Sequence, residues 1–223
     1  MKYYKILIII AFTLPFSSCI YYPKLVDIPL INKKKDLRID ASVSPLFSAN
    51  STISYGLTDK IAIQTYGSIE NDLGHYYQGA VGYYKVFKKN TVFELYGGIG
   101  NGYRVAIRDA GGSIKGDFQS YFSQINIGKV NCAYAHADYG FGLKTGILHS
   151  NLLATDYYDI NQPTSRSINN QLQVEPELFA RFGGNRLKFN VKIGGCWFSK
   201  FTNTDKFLPY YQWNLGLGLN FRL

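Results

Sequence analysis

Along its last stretch the chain alternates with a period of two. Tyr211, Trp213, Leu215, Leu217, Leu219, Phe221 and Leu223 share one face of an extended segment, and Gln212, Asn214, Gly216, Gly218, Asn220 and Arg222 share the other. The first face is wholly apolar, and the second is small or polar. A soluble strand hides its apolar face in a core and shows long polar side chains to water, whereas this second face suits the lining of a lumen. About eleven tilted residues cross a bilayer, so the stretch predicts a membrane-spanning strand of a β-barrel.

Two earlier segments repeat the pattern. Leu172, Val174, Pro176, Leu178, Ala180 and Phe182 alternate with Gln171, Gln173, Glu175, Glu177, Phe179 and Arg181; Leu187, Phe189, Val191 and Ile193 alternate with Lys188, Asn190 and Lys192. A charge facing lipid near the midplane costs about 2–4 kcal/mol, which directs Glu175, Glu177, Arg181, Lys188 and Lys192 into the lumen. His136, Asp138, Arg38, Asp40, Glu94, Lys144 and Arg222 are expected to join them, the charged ones as a paired network that plugs a barrel too narrow to be an open porin. A tight turn at Gly183-Gly184-Asn185 sets Phe182 opposite Leu187 and therefore Glu177 opposite Lys192. Pro176 has no N–H to give a ladder and points to a bulge.

Extended over the chain, the alternation predicts strands near 37–44, 50–57, 61–69, 76–87, 91–104, 117–128, 132–147, 171–182, 186–199 and 210–222. The fold class is all-β, an antiparallel up-and-down transmembrane β-barrel of about ten strands, with eight or twelve as the neighbouring counts. Tight turns are expected at Thr58-Asp59-Lys60, Lys88-Lys89-Asn90, Lys129-Val130-Asn131 and Gly183-Gly184-Asn185. The alternate connections are longer: 45–49, 70–75, 105–116, 149–170 and 200–209. This asymmetry is that of outer-membrane barrels, and an even strand count puts both termini on the short-turn, periplasmic side. Aromatic residues, 16% of the chain, gather toward strand ends as interface girdles require: Tyr83, Tyr84 and Phe87; Trp197, Phe198 and Phe201; Tyr210, Tyr211 and Trp213.

The N-terminus carries an address. Lys2 and Lys5 precede the apolar run Ile6–Phe12 and the sequence Leu14-Pro15-Phe16-Ser17-Ser18-Cys19, a secretory signal too short to span a membrane. The cysteine after two serines resembles the lipobox of bacterial lipoproteins, which implies a lipidated Cys19 with palmitate-type acyl chains. Phe16 stands where that motif prefers Leu, and ordinary cleavage is the alternative. The chain thus divides into a leader (1–18), an extended tether (19–36) and one barrel domain (37–223). Tyr22-Pro23, Ile28-Pro29-Leu30 and Asn32–Lys35 leading into Leu37-Arg38-Ile39, with Tyr55–Ala62 later, resemble the opening of a group of small Bacteroidota-type outer-membrane β-barrel lipoproteins of uncharacterised function. The resemblance implies no activity. Exported lipoproteins of that group carry acidic residues after the lipidated Cys; Ile20-Tyr21-Tyr22-Pro23-Lys24 has none, so the anchor is expected in the periplasmic leaflet.

Loss of the leader lowers the formal charge from +9 to +7, because Lys2 and Lys5 leave with no acid. An exported address disfavours nucleic acid, and the basic excess reads as solvated loop charges or as a surface for lipopolysaccharide phosphates; outer-membrane lipid and an outer-membrane protein met through the long loops are the candidate partners. Cys132 and Cys196 fall near opposite barrel ends and are expected to stay free thiols. No metal site or cofactor is expected. Gly97–Gly102 lacks both the P-loop ending and the dinucleotide spacing, and reads as relief of crowding in a strand. His136 and Asp138 on one strand face, with Ser and Glu elsewhere, allow a lipid A-modifying enzyme. Neither a nucleophile elbow nor a metalloprotease motif supports it. The expected function is a non-enzymatic, structural or accessory outer-membrane barrel. A soluble lipocalin-like barrel with an apolar ligand inside is the other alternative.

Overall fold

In the computed structural model the period-two alternation becomes eleven strands, and the residues described are 21–45, 48–70, 74–108, 112–132, 136–156, 165–201 and 210–223. The leader and Cys19 lie outside them. The strands are β1 (Leu37–Ser44), β2 (Ser48–Gly56), β3 (Ile61–Glu70), β4 (Gly74–Val86), β5 (Thr91–Arg108), β6 (Gly112–Cys132), β7 (Ala137–Asp156), β8 (Ser165–Gly183), β9 (Leu187–Gly195), β10 (Trp197–Lys200) and β11 (Trp213–Arg222). All pairings between them are antiparallel, and β1 joins β11 to close the sheet. β9 and β10 form one wall strand, since Gly194 opposite Glu177 and Trp197 opposite Val174 continue a single register along β8. The barrel is therefore ten-stranded. The break between them falls beside Pro176, whose missing N–H interrupts the ladder without the bulge that its position suggested.

Four strands outgrow their sequence boundaries. β5 to β8 run 18, 21, 20 and 19 residues, whereas β1 to β3 run 8, 9 and 10. The connections expected over 45–49, 70–75, 105–116 and 149–170 shorten to 45–47, 71–73, 109–111 and 157–164, because Ser44 pairs with Ser48, Glu70 with Gly74, Arg108 with Gly112 and Ala154 with Ser165. The β6–β7 turn also lies later than Lys129–Asn131, because β6 continues to Cys132 through a register shift. The β8–β9 turn is as tight as expected but lies one residue later, at 184–186. Gly183, at φ 144°, pairs with Lys188, and Gly184 N–H donates to Leu187 O at 2.9 Å. This moves the register by two residues, so Phe182 faces Phe189 and Glu177 faces Gly194 rather than Lys192. Faces are preserved by an even shift, but partners are not.

Over most of the wall the outer face is apolar and the inner face polar. Val43, Ile53, Ile69, Val81, Ile99, Ile125, Leu178, Ile193 and Leu219 are exposed, while Ser42, Thr52, Gln64, Gln78, Gln124, Asn190 and Asn220 are buried. That is the reverse of a soluble ligand-binding barrel and excludes the lipocalin-like architecture. Near the upper ends of the tall strands the polarity inverts. Ala106, Ile114, Phe118, Leu148 and Leu152 now point inward as an apolar cluster, and Asn101, Asp117, Gln119, His149 and Asn151 face outward around a concavity of about 380 Å³. No pairing slips at the change: Tyr121 opposite Ile147 and Phe118 opposite Ser150 belong to one register. The inversion marks where the tall wall leaves lipid for water. Of the aromatic residues assigned to girdles, Tyr83, Phe87, Trp197, Phe201 and Trp213 are exposed, but Tyr84 and Phe198 point inward and are buried.

Candidate functional site

The lumen is not plugged by wall side chains alone. Residues 21–31, read from sequence as part of an extended tether outside the barrel domain, are all buried and run through the barrel from end to end. At one end Tyr21 makes a parallel bridge with Tyr210, and its carbonyl accepts from Tyr211 N–H at 2.9 Å, beside the long β10–β11 connection. At the other, Asp36 O accepts from Gly56 N–H at 3.0 Å and Lys35 N–H donates to Gly56 O at 2.8 Å, beside the short β2–β3 turn. The described N-terminus therefore stands at the long-loop end. Only the C-terminus, with Leu223 bonded to Leu37, is at the short-turn end where both were expected.

A lone segment inside a barrel has no ladder, so its backbone polar groups need side-chain partners. The wall supplies them. Asn214 donates to Pro23 O at 3.0 Å, Gln64 to Asp27 O at 2.8 Å and Arg181 to Ile28 O at 2.5 Å, and Thr52 and Glu94 accept from Asp27 and Ile31 N–H at 3.2 and 2.7 Å. Pro23 and Pro29 present no N–H that would need a partner. Bare wall positions make the space: a Cβ on Gly142 would stand 2.6 Å from Ile28, and one on Gly194 2.7 Å from Leu25. What remains beside Leu25 is a cavity of about 10 Å³, the room of one water at most. The Gly98–Gly102 stripe is filled from within the wall, by Tyr76 and Phe122.

Charge organises the middle and lower lumen. Asp27 binds Arg181 at 2.5 Å, accepts from Asn220 at 3.3 Å and lies 3.9 Å from Lys192, which is itself ion-paired with Asp40. Lys188 meets Asp138 at 2.6 Å, and Arg38 and Arg181 approach the same carboxylate at 3.7 and 4.0 Å. Asp36 takes Arg222 at 2.9 Å. Higher up, Lys144 pairs with Glu175, and Glu70 takes both Lys24 and, at 2.6 Å, Arg104. Glu94 is bonded by Asn126 at 2.9 Å. Of the residues singled out in sequence, Glu175, Glu177, Arg181, Lys188, Lys192 and Asp138 all lie in this interior. Glu177 is not the partner of Lys192, because the register carries it away to Gly194.

His136 does not belong with them. β7 starts at Ala137, and His136 sits in the preceding turn with φ 45°, exposed, so it shares no face with Asp138. Cys196 is a buried free thiol in the upper cluster. Cys132 closes β6 at the other end, and its side chain lies outside the described ones. Among the described residues no cluster of His, Cys, Asp or Glu could hold a metal ion.

Sequence reasoning missed the plug itself. Leu25, Val26, Ile28, Leu30 and Ile31 were its signal, since five large aliphatic residues within seven are out of place in a tether exposed to water.

The fold is shared with a solved outer-membrane protein. The outer membrane protease OmpT from Escherichia coli superposes with a TM-score of 0.60 at 11% identity, over 85% of this chain and 94% of that one. A KdgM porin matches at a TM-score of 0.38 and 10% identity, over 83% and 98%, and the N-terminal β-barrel domain of Pseudomonas aeruginosa OprF at 0.33 and 11%, over 85% and 98%. No protein-family model matches the chain, nor does any curated protein sequence.

Proposed function

We propose that this protein is an outer-membrane barrel sealed by its own N-terminal segment, whose role is structural or interactional rather than transport or catalysis. The observation that carries the reading is the unbroken burial of residues 21–31 along the lumen axis. A path filled by Leu25, Ile28 and Leu30 and tied by Asp27 to Arg181 offers no route for solute. It also fills the interior, leaving no room there for a substrate. The separation of His136 from Asp138 removes the one pair that favoured an enzyme.

The surface left for function is the tall wall above the polarity inversion. Its outward His75, Asn101, Asp117, Gln119, His149 and Asn151 line the open concavity, a polar face suited to a protein partner or to lipopolysaccharide headgroups. Membership of the Bacteroidota-type lipoprotein group, resting on Tyr22-Pro23 and Ile28-Pro29-Leu30, fits this reading, as does lipidation at Cys19.

Planar-bilayer recording of the purified full chain is the test. It should be electrically silent. Deletion of residues 21–31 should give discrete channel openings, because the wall then encloses water in place of the plug. Stable conductance by the intact chain would overturn the reading.

A further inference from the structure

The direction of the plug has a topological consequence. Its earliest described residue, Tyr21, is lodged among Phe118, Phe198 and Tyr210, with ring centroids 6.0 and 5.2 Å from the first two. These belong to the end that carries the tall wall and both long connections, 157–164 and 201–212, beside three of three residues each. The opposite end has connections of three or four residues only, and holds the C-terminus and the junction of the plug with β1. In outer-membrane barrels short turns face the periplasm, so the Tyr21 end faces the cell exterior. The polarity inversion agrees independently, since only that end projects a water-adapted wall.

Only Ile20 separates Cys19 from Tyr21 in the sequence, so the two lie at most about 7 Å apart. Next to this exit stand Trp197 and Trp213, edge to face at 5.4 Å and both exposed on the lipid side. Paired outward tryptophans mark headgroup depth. We infer that the chain is threaded outward through its own barrel, so that the residues ahead of Tyr21, Cys19 included, emerge at the outer surface beside the β10–β11 rim, where an acyl chain on Cys19 would enter the outer leaflet. This rests on the sealed-barrel reading, and it reverses the periplasmic placement suggested by the missing acidic residues. A short acidic signal is unnecessary if the fold itself carries the N-terminus across.

Two tagged full-length chains test it: one with an epitope between Ile20 and Tyr21, one with the epitope after Asn185 in the β8–β9 turn. On intact cells the first should label as strongly as after permeabilisation, and the second should label only after permeabilisation. Heat-shifted gel mobility verifies that both barrels fold. Ile20→Cys, labelled with a membrane-impermeant maleimide, serves if the insertion does not fold. An N-terminal label that appears only on permeabilisation overturns the threading, as does a label at Asn185 on intact cells, which would mean an inverted barrel. Bilayer recording of the same tagged proteins keeps the two readings apart. Conductance refutes the sealed lumen, whereas a silent barrel with a hidden N-terminus refutes the direction alone.

Discussion

The plug is held in two different ways at its two levels. Around Asp27 it is held by charge: Arg181, Lys192 and Asn220 converge on one carboxylate, with Asp40 and Asp138 balancing the cations behind them. Around Tyr21 it is held by rings, edge-on to Phe118 and Phe198 within a cluster that includes Leu148, Leu152 and Cys196. Neither level is of one kind throughout: Ile28 and Leu30 also pack on Val92, Val130 and Phe179, and Lys24, Glu70 and Arg104 form an ion-paired triad in the upper lumen. What differs is the contact that fixes the plug at each point.

The charged level should be the more fragile. Asp27→Asn leaves Arg181 with Asp138 as its nearest acid at 4.0 Å. Uncompensated buried charge costs roughly 3–5 kcal/mol, so denaturant unfolding in detergent should show a loss of that size. Asp27→Leu combined with Arg181→Met should recover most of it, since an apolar replacement of both partners leaves nothing stranded. A double variant as unstable as Asp27→Asn would mean that the pair is not what holds this level.

The ring level should respond less. Tyr21→Phe keeps the aromatic contacts but removes the hydroxyl that donates to Glu175 at 3.0 Å and accepts from Gln173. Leaving those groups buried without it should cost about 1–3 kcal/mol. A loss as large as that of Asp27→Asn would erase the contrast between the two levels.

Gly194→Ala probes the fit between them. Its Cβ would meet Leu25 at 2.7 Å, against the end of a flexible side chain. Overpacking of this kind costs about 1–3 kcal/mol, and the low end is expected here because Leu25 can turn aside. Gly194→Phe should instead expel the plug and produce bilayer conductance, and a silent Gly194→Phe barrel would place Leu25 elsewhere.

The smallest effect separates two registers. Lys192 and Asp40 are ion-paired, and Glu177 faces Gly194. A double-mutant cycle on Asp40→Asn and Lys192→Gln should give a coupling of about 0.5–3 kcal/mol, and one on Glu177→Gln and Lys192→Gln about 0.5 kcal/mol or less. A second coupling larger than the first would set Glu177 rather than Asp40 against Lys192 and return the turn to Gly183–Asn185.

Much of the wall was legible in advance. Charges on a strand with one apolar face can point only inward, so Arg181, Lys188 and Lys192 were placed from period two alone. The phase change between Ile147 and Leu148 was equally visible, yet alternation read in short windows treats it as a strand end. That is why β5 to β8 came out too short. The turn at Gly183 was harder. Where within 183–186 the chain reverses depends on which cross-strand pairs the rest of the sheet permits.

By itself, then, the sequence determined the class of fold, the strand order and which side chains face lipid, because alternation and the cost of a charge in hydrocarbon are local properties of a strand. Tertiary structure alone decided who meets whom inside. Residues 21–36 have no periodicity to betray a partner, and their extended form is equally good in water or in a lumen until a closed wall with bare Gly142 and Gly194 and cations at Arg181 and Lys192 exists to receive them. Which way the segment runs was settled the same way: Tyr21 packs on Phe118 and Phe198 at one end and Ile31 beside Tyr84 and Tyr96 at the other, and the direction of the plug is a property of the assembled cavity rather than of any segment.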